Sequence, residues 1–453
     1  MWRKTVISAL IGVILLSGSC IGGGMAVPIA PPGITGDNSG GAIVTYAVYE
    51  TLTEQDYYVQ RISPEGDFLW GERGVLIGST GNGFPWSEAV SDGSGGAIVI
   101  WVERLPQPEG EPEPSYFQTH VARITSEGDV EWRKDIPGAA QAIPDGAGGV
   151  IIAFGDSYGD LSVLKIDTEG NLPWGEDGVS LGAPAGPSSR DIASDGSGGV
   201  ITVLEIDEYG REDIICAQRV DSEGNTLWGG GGVQVFVGPA EGPRVASDGS
   251  GGAIIVFEQL TPDEDGTGYI DSDIYVQKVD AEGNVLWGTD GVLFYTGPSY
   301  PDVSQIVADG SGGAIVFFAE GWTTYAQRID ADGHKLWNED VRVCDSDYVP
   351  IVSDGYGGAF CVWYGSEESG AAAHRLDATG RKLWGPDGIT LTSQGINEPG
   401  LALVPDGSGG VLISWVADVK FRHYEISDVS YYVQRVDADG NLPWGDGGIL
   451  LSP

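Results

Sequence analysis

An aspartate followed by a glycine-rich turn ending in Gly-Gly occurs eight times along the chain, and no other feature restricts the fold as much. The copies begin at Asp37, Asp92, Asp145, Asp195, Asp248, Asp309, Asp354 and Asp406. A second landmark keeps step with the first. Gly66, Gly128, Gly170, Gly224, Gly283, Gly333, Gly380 and Gly440 are each followed four residues later by a tryptophan, namely Trp70, Trp132, Trp174, Trp228, Trp287, Trp337, Trp384 and Trp444. A period of about 50 residues that runs end to end marks one repeat architecture, so the 453 residues need not be divided into several domains.

Within the unit, each aspartate turn opens an apolar run such as Ala314-Ile315-Val316-Phe317-Phe318. This run is too continuous for a strand with one face in water, so it predicts a strand buried on both faces. An alternating strand follows, as in Tyr325-Ala326-Gln327-Arg328-Ile329. It ends at the hairpin whose glycine requires a positive φ. An outer strand and a strand leading into the next aspartate turn complete four strands per unit. A four-stranded antiparallel unit of this length cannot bury both faces alone, so the units must stack, and radial stacking gives a propeller. The expected fold is all-β, an eight-bladed β-propeller of four-stranded antiparallel blades occupying residues 28–453. Residues Pro28 to Gly36 can supply the first innermost strand and Gly447 to Leu451 the last outermost one, so closure needs no exchange of strands between the termini.

Residues 1–20 have a basic start, an apolar run from Val6 to Leu16, and Ser17-Gly18-Ser19-Cys20. This is the layout of a lipoprotein-type signal peptide, too short to span a bilayer, with Cys20 as the residue to be lipidated. Cleavage after Gly24-Met25-Ala26, releasing a free protein, is the other reading. A Gly- and Pro-rich tether, 21–32, follows. At about 3.3 Å per residue it holds the propeller within roughly 40 Å of the membrane. The expected localisation is exported: membrane-anchored and facing the outside or periplasm, or secreted if Cys20 is not lipidated.

Sixty-six acidic residues face 23 basic ones, a formal net charge of −43. That excludes nucleic acid as a partner and disfavours anionic headgroups, because both would be repelled. Contact with the membrane is expected through the lipid anchor only. Beyond Cys20, the cysteines Cys216, Cys344 and Cys361 lack metal-ligand spacing and read as core thiols, with a Cys344–Cys361 bridge left open. The four histidines, His120, His334, His374 and His423, fall in different repeats, which argues against a histidine metal cluster.

The passage Arg375-Leu376-Asp377-Ala378-Thr379-Gly380-Arg381-Lys382-Leu383-Trp384 resembles the tryptophan-docking repeat of the pyrroloquinoline-quinone-type propellers, and the pattern covers the mature chain. The resemblance implies that each repeat tryptophan wedges between neighbouring blades. That family holds quinone-dependent dehydrogenases and non-catalytic scaffolds, including a lipid-anchored propeller that assists outer-membrane barrel assembly. This chain lacks the adjacent Cys-Cys pair of the dehydrogenases, which places it with the non-catalytic lipoprotein branch.

The hairpin turns Asp221-Ser222-Glu223-Gly224-Asn225 and Asp437-Ala438-Asp439-Gly440-Asn441 resemble half of a calcium loop, but their glycine is fourth where an EF-hand places it sixth. They read as turns without an ion, and no cofactor is expected, with calcium kept open for the acidic insertion around Asp263. One basic residue per repeat, Arg61, Arg123, Lys165, Arg219, Lys278, Arg328, Arg375 or Arg435, is expected to pair with the turn aspartates within or between blades. A motif present eight times has a task performed eight times, so no catalytic residues are assigned and function is sought where the repeats differ. The clearest departures are insertions at Arg104 to Ser115, Leu260 to Ser272 and Val419 to Ser430, the last holding Lys420, Arg422 and His423. The function expected is a monomeric, non-catalytic binding or scaffold module for envelope protein or glycan. A secreted carbohydrate-active or other hydrolytic propeller, with its site at the channel mouth, is the alternative.

Overall fold

The computed structural model describes residues 32–451, apart from the connecting stretches 50–53, 82–85, 106–116, 139, 156–160, 183–186, 207–212, 264–268, 298–299, 347–348, 365–369, 393–399 and 423–424. The described chain is all strand and turn. Eight four-stranded antiparallel sheets follow one another in sequence, at 34–81, 87–137, 140–180, 187–237, 240–296, 302–344, 351–392 and 401–450. In each, the strands pair in chain order. The first strand of every blade touches the first strands of both neighbours, the eighth blade's meeting the first blade's, so these eight strands form the inner wall of a closed ring. Second-to-third connections and blade-to-blade connections therefore share one face, here the upper. The aspartate turns and the glycine–tryptophan hairpins share the lower.

The continuous apolar run of each second strand has its explanation in the core. Buried side chains form eight clusters, each lying between two adjacent blades. In Ala314–Glu320, residues Ala314, Val316 and Phe318 pack toward blade 5, and Ile315 and Phe317 pack toward blade 7. Successive residues of a strand point to opposite faces, so a strand between two neighbours must be apolar at every position. Each such side chain withdrawn from water contributes about 1.5–3 kcal/mol, and the ring depends on all eight interfaces. Cys344 and Cys361 share the cluster between blades 6 and 7 as free thiols, and Cys216 is a buried free thiol in blade 4.

The repeated polar residues fasten the blades. Seven of the turn aspartates are buried and Asp248 is half-buried, and each accepts, at 2.7–2.9 Å through Oδ1, the backbone N–H groups two and four residues ahead. Its Oδ2 meets the basic residue on the third strand of the same blade at 2.8–3.8 Å. The ion pair is thus within a blade. The cation then donates to the next blade, as Arg61 Nη1 does to the Ser126 carbonyl at 3.2 Å and Arg328 Nη1 to the Ala378 carbonyl at 3.0 Å.

The repeat tryptophan reaches the same place. Trp70 Nε1 donates to Ser126 O at 3.1 Å and Trp337 Nε1 to Ala378 O at 3.0 Å. Its ring lies against the hairpin glycine of that next blade: a Cβ on Gly128, whose φ is +90°, would sit 2.8 Å from Trp70. Glycine is required there by backbone angle and by lack of room alike. The same bond closes the circle, because Trp444 of blade 8 donates to Pro64 of blade 1 at 3.0 Å, while Ser414 Oγ donates to Pro32 O at 2.8 Å.

A buried glutamine on the third strand, Gln60, Gln218, Gln277, Gln327 or Gln434, completes five blades. Gln60 Oε1 accepts from the N–H groups of Arg61 and Trp70, and its Nε2 donates to Gly71 O. In blade 7 the address holds His374, fully buried, with Nε2 facing Pro386 O at 3.3 Å and Nδ1 without a partner among the described residues. Burial, helped by nearby Lys382, lowers its pKa to about 4.

Two outcomes follow for stability. Asp309→Ala leaves the Ser311 and Gly313 amides and the Arg328 guanidinium without their acceptor, and denaturant unfolding is expected to show a loss of about 3–5 kcal/mol. His374 titrates near 6.5 when unfolded and about 4 when folded, so its own contribution to stability falls as pH drops below 6.5 and levels off below 4, by about 3 kcal/mol in all, read as the difference between wild type and variant. His374→Gln restores the glutamine of the other blades and should abolish that dependence, as measured by melting temperature from pH 4 to 8.

Candidate functional site

Since the repeated residues all serve the ring, chemistry specific to this chain must lie at addresses where the copies differ. One such address is on the inner wall, four residues before each turn aspartate. It holds Gly33, Glu88, Gln141, Asp191, Arg244, Gln305, Pro350 and Ala402. From blade 2 to blade 6 it is polar, and most of these side chains bind across the inner wall. Asp191 accepts from the Val245 N–H at 2.9 Å and from Gln141 Nε2 at 3.3 Å, and Gln305 Oε1 accepts from the Ile351 N–H at 2.9 Å. Burial raises the pKa of Asp191, opposed by the Arg244 charge and these hydrogen bonds. Glu88 accepts from the Ala142 N–H, yet its withdrawal from water outweighs that bond and pushes its pKa up to about 7.

Glu88 faces a cavity of about 830 Å³ bounded by the innermost strands of blades 8, 1, 2 and 3. The walls include Ile34, Val90, Ala142 and Val404, and toward the lower face come Asn38, Ser39 and Ser408. Asp406 and Arg435 also line it, already paired with each other at 2.9 Å.

The upper face differs among blades too. In blades 4 and 5 the second strand ends near a glutamate that anchors the start of the next blade's inner strand: Glu205 Oε2 accepts from the Gly242 N–H at 3.2 Å, and Glu258 Oε1 from the Val303 N–H at 2.8 Å. In blade 7 the Tyr364 hydroxyl accepts from the Gly400 N–H instead. Burial and the adjacent carboxylates of Asp302 and Glu241 raise the pKa of Glu258 well above the usual range. Around this group, Tyr269, Ile270, Tyr300 and Trp322 are exposed, Trp322 by 74 %. The Tyr300 hydroxyl donates to the Tyr269 carbonyl at 3.4 Å.

The residues singled out in the sequence fall into separate places. The eight tryptophans lie at the blade interfaces, in the arrangement described above, and the basic residues lie at their ion pairs. Cys20 and its leader lie outside the described residues. The acidic insertion after Leu260 continues the hairpin of blade 5 rather than looping away, with strands Ala253–Pro262 and Tyr269–Val279; Glu264 and Asp265 lie outside the described residues. The insertion in blade 8 likewise lengthens Val411–Arg422 and Glu425–Val436, and His423 lies outside, as does most of Arg104 to Ser115. In the hairpin turns, Asp221 Oδ1 accepts from the Glu223 and Asn225 amides, so the turn's own backbone uses the oxygens a cation would need. Asp330, Asp332 and His334 bring three ligand atoms within 4.8 Å, but Asp330 Oδ1 likewise serves two backbone amides. The inner-wall address was not singled out, because it carries no repeated residue.

No family model matches the chain, and no curated protein matches it. Among solved structures it is similar to a puromycin hydrolase mutant, with 15 % identity and a TM-score of 0.45 over 81 % of this chain and 53 % of that one. It is similar to prolyl oligopeptidase B from Galerina marginata, with 10 % identity and a TM-score of 0.45 over 90 % and 54 %. A third is a puromycin-hydrolyzing peptidase from Mycobacterium tuberculosis, with 14 % identity and a TM-score of 0.43 over 86 % and 58 %. The chain spans little more than half the length of each. At these values the similarity concerns fold alone.

Glu88 titrates near 4.5 unfolded and about 7 folded, so its ionisation opposes folding as pH rises through that interval and does so fully above pH 7. Glu88→Gln keeps an acceptor for the Ala142 amide without the charge. The variant should match wild type near pH 4 and exceed it by up to about 3 kcal/mol at pH 8 in denaturant unfolding.

Proposed function

We propose that this protein is an exported, lipid-anchored propeller that acts as a non-catalytic binding module for a protein or glycan at the cell envelope. The observation that carries the reading is the upper rim of blades 5 and 6, where Tyr269, Tyr300 and Trp322 are exposed beside Glu241 and Asp302. Aromatic side chains supply large contact area at low entropic cost and stack on sugar faces or on partner side chains, while carboxylates accept from hydroxyl or cationic donors. Single exposed apolar residues are ordinary on a protein surface; three large rings on neighbouring segments of one rim are not. The acidic surface selects against polyanionic partners.

Export and anchoring rest on the leader and Cys20, which would hold this rim within a tether's length of the membrane. Descent from the quinone-type propeller repeat belongs to the same reading, supported by the tryptophan that wedges against the next blade's glycine. No cofactor is part of it. The hydrolytic alternative draws on one observation, the inner-wall Glu88 with a pKa near neutrality, as a general acid requires.

The test is capture from envelope extract and binding to a glycan array by the full-length chain and by Tyr300→Ala/Trp322→Ala. Both substituted residues are exposed, so the variant should melt within a few degrees of wild type. Loss of at least 90 % of the bound partner or glycan in the variant is the expected result. Equal retention by both proteins would move the binding surface away from this rim.

A further inference from the structure

We propose that the axial cavity between blades 8, 1, 2 and 3 is a second binding site, for a small organic cation whose ammonium or amidinium group is held by Glu88. The cavity, about 830 Å³, is in the size range of small-molecule sites, and its lining mixes apolar and polar side chains. Pro144, Val404 and Pro405 supply surface for a hydrocarbon body, Thr35, Ser39, Ser91 and Ser408 supply polar atoms, and Glu88 supplies the charge.

Glu88 is set into the cavity wall by the inner-wall address. In blades 2 to 6 that address carries long polar side chains; in blades 8 and 1 it carries Ala402 and Gly33, and Gly33 packs against the Glu88 backbone, where a Cβ would fall 2.6 Å from the Glu88 Cα. Glu88 stands at the border between the two halves. Of the three charged residues lining the cavity, Asp406 and Arg435 neutralise each other, whereas Glu88 has no cationic partner among the described residues. A carboxylate offers about four lone-pair sites. The Ala142 amide takes one, which leaves capacity for a donor arriving through the channel.

An unpaired carboxylate largely withdrawn from water is costly, and a bound cation offsets that cost by restoring charge pairing and hydrogen bonding. Anions are excluded by Glu88 itself. The acidic surface adds a long-range attraction, since a narrow channel in a chain of net charge −43 concentrates cations at its mouth. Protein or glycan at the upper rim would leave this lower-face opening free, so the two sites are independent.

The probe is spermidine, titrated calorimetrically into the purified full-length chain at pH 8 and moderate salt, with an uncharged polyether of similar length as control. Wild type should bind spermidine saturably at one site and the polyether at least tenfold more weakly. Glu88→Gln should weaken spermidine binding at least tenfold, and Val404→Phe, which fills the cavity, should do the same. Glu339→Gln, an exposed carboxylate elsewhere, should change affinity less than twofold and so separates the site from general attraction to an acidic surface. Absence of saturable binding to wild type, or binding by Glu88→Gln within twofold of wild type, would overturn the proposal. Tyr300→Ala/Trp322→Ala should bind spermidine unchanged whether or not the rim has its own partner.

Discussion

The ring is held at the lower hairpins, where side chains of one blade donate to carbonyl oxygens of the next, and at three interfaces a tryptophan and an arginine converge on a single carbonyl. At Ser126 O the donors are Trp70 Nε1 and Arg61 Nη1; at Ala378 O they are Trp337 Nε1 and Arg328 Nη1. The arginine can make that reach because a buried aspartate of its own blade fixes the rest of the guanidinium, and the aspartate is itself held by two amides of its turn. An isolated surface ion pair would contribute little. Here the carboxylate is withdrawn from water and both of its oxygens accept hydrogen bonds, Oδ1 from the turn amides and Oδ2 from the arginine, the condition under which a buried pair offsets its desolvation. Burial raises the pKa values of Asp37, Asp92, Asp309 and Asp406, but the hydrogen bonds from the turn and the arginine outweigh it and hold these carboxyls below the usual range.

The same device explains how a ring closes without exchanging strands. Trp444 makes toward Pro64 the bond that Trp70 makes toward Ser126, so the eighth interface matches an internal one in kind. With no core inside any single blade and one cluster per interface, loss of one interface exposes two apolar faces. Cooperative unfolding of the whole ring is the consequence expected of nearest-neighbour stacking.

This division decides what was legible in the sequence. The aspartate turns, the glycine with tryptophan four residues on, and the doubly buried second strand recur eight times, and periodicity exposes anything that recurs. The glutamine of the third strand recurs only five times, replaced by Ala122, Leu164 and His374, and its role depends on a tryptophan amide ten residues ahead that pattern alone does not connect to it. The inner-wall address has no common residue type. Its members become neighbours only when eight strands are brought around an axis, so the relation of Glu88 to Ala142 has no local signal. The long insertions were visible, but a strand that simply continues past its blade has the same composition as a loop rich in polar residues.

Glu88 and His374 make a useful contrast. Both are ionisable groups withdrawn from water, His374 fully and Glu88 in part, and both make stability depend on pH, in opposite directions. His374 is enclosed at a blade interface, and its defect is answered by remaining neutral: a glutamine would do the same work. Glu88 faces a cavity and opposes folding through a charge that no described neighbour compensates. Proteins retain such groups where activity needs them, because the stabilising substitution is readily available and would otherwise cost nothing. The asymmetry of the inner wall supports the distinction. Five consecutive blades contribute polar side chains at one address, Pro350, Ala402 and Gly33 carry none there, and Glu88, without a cationic partner among the described residues, stands where the polar arc meets the cavity.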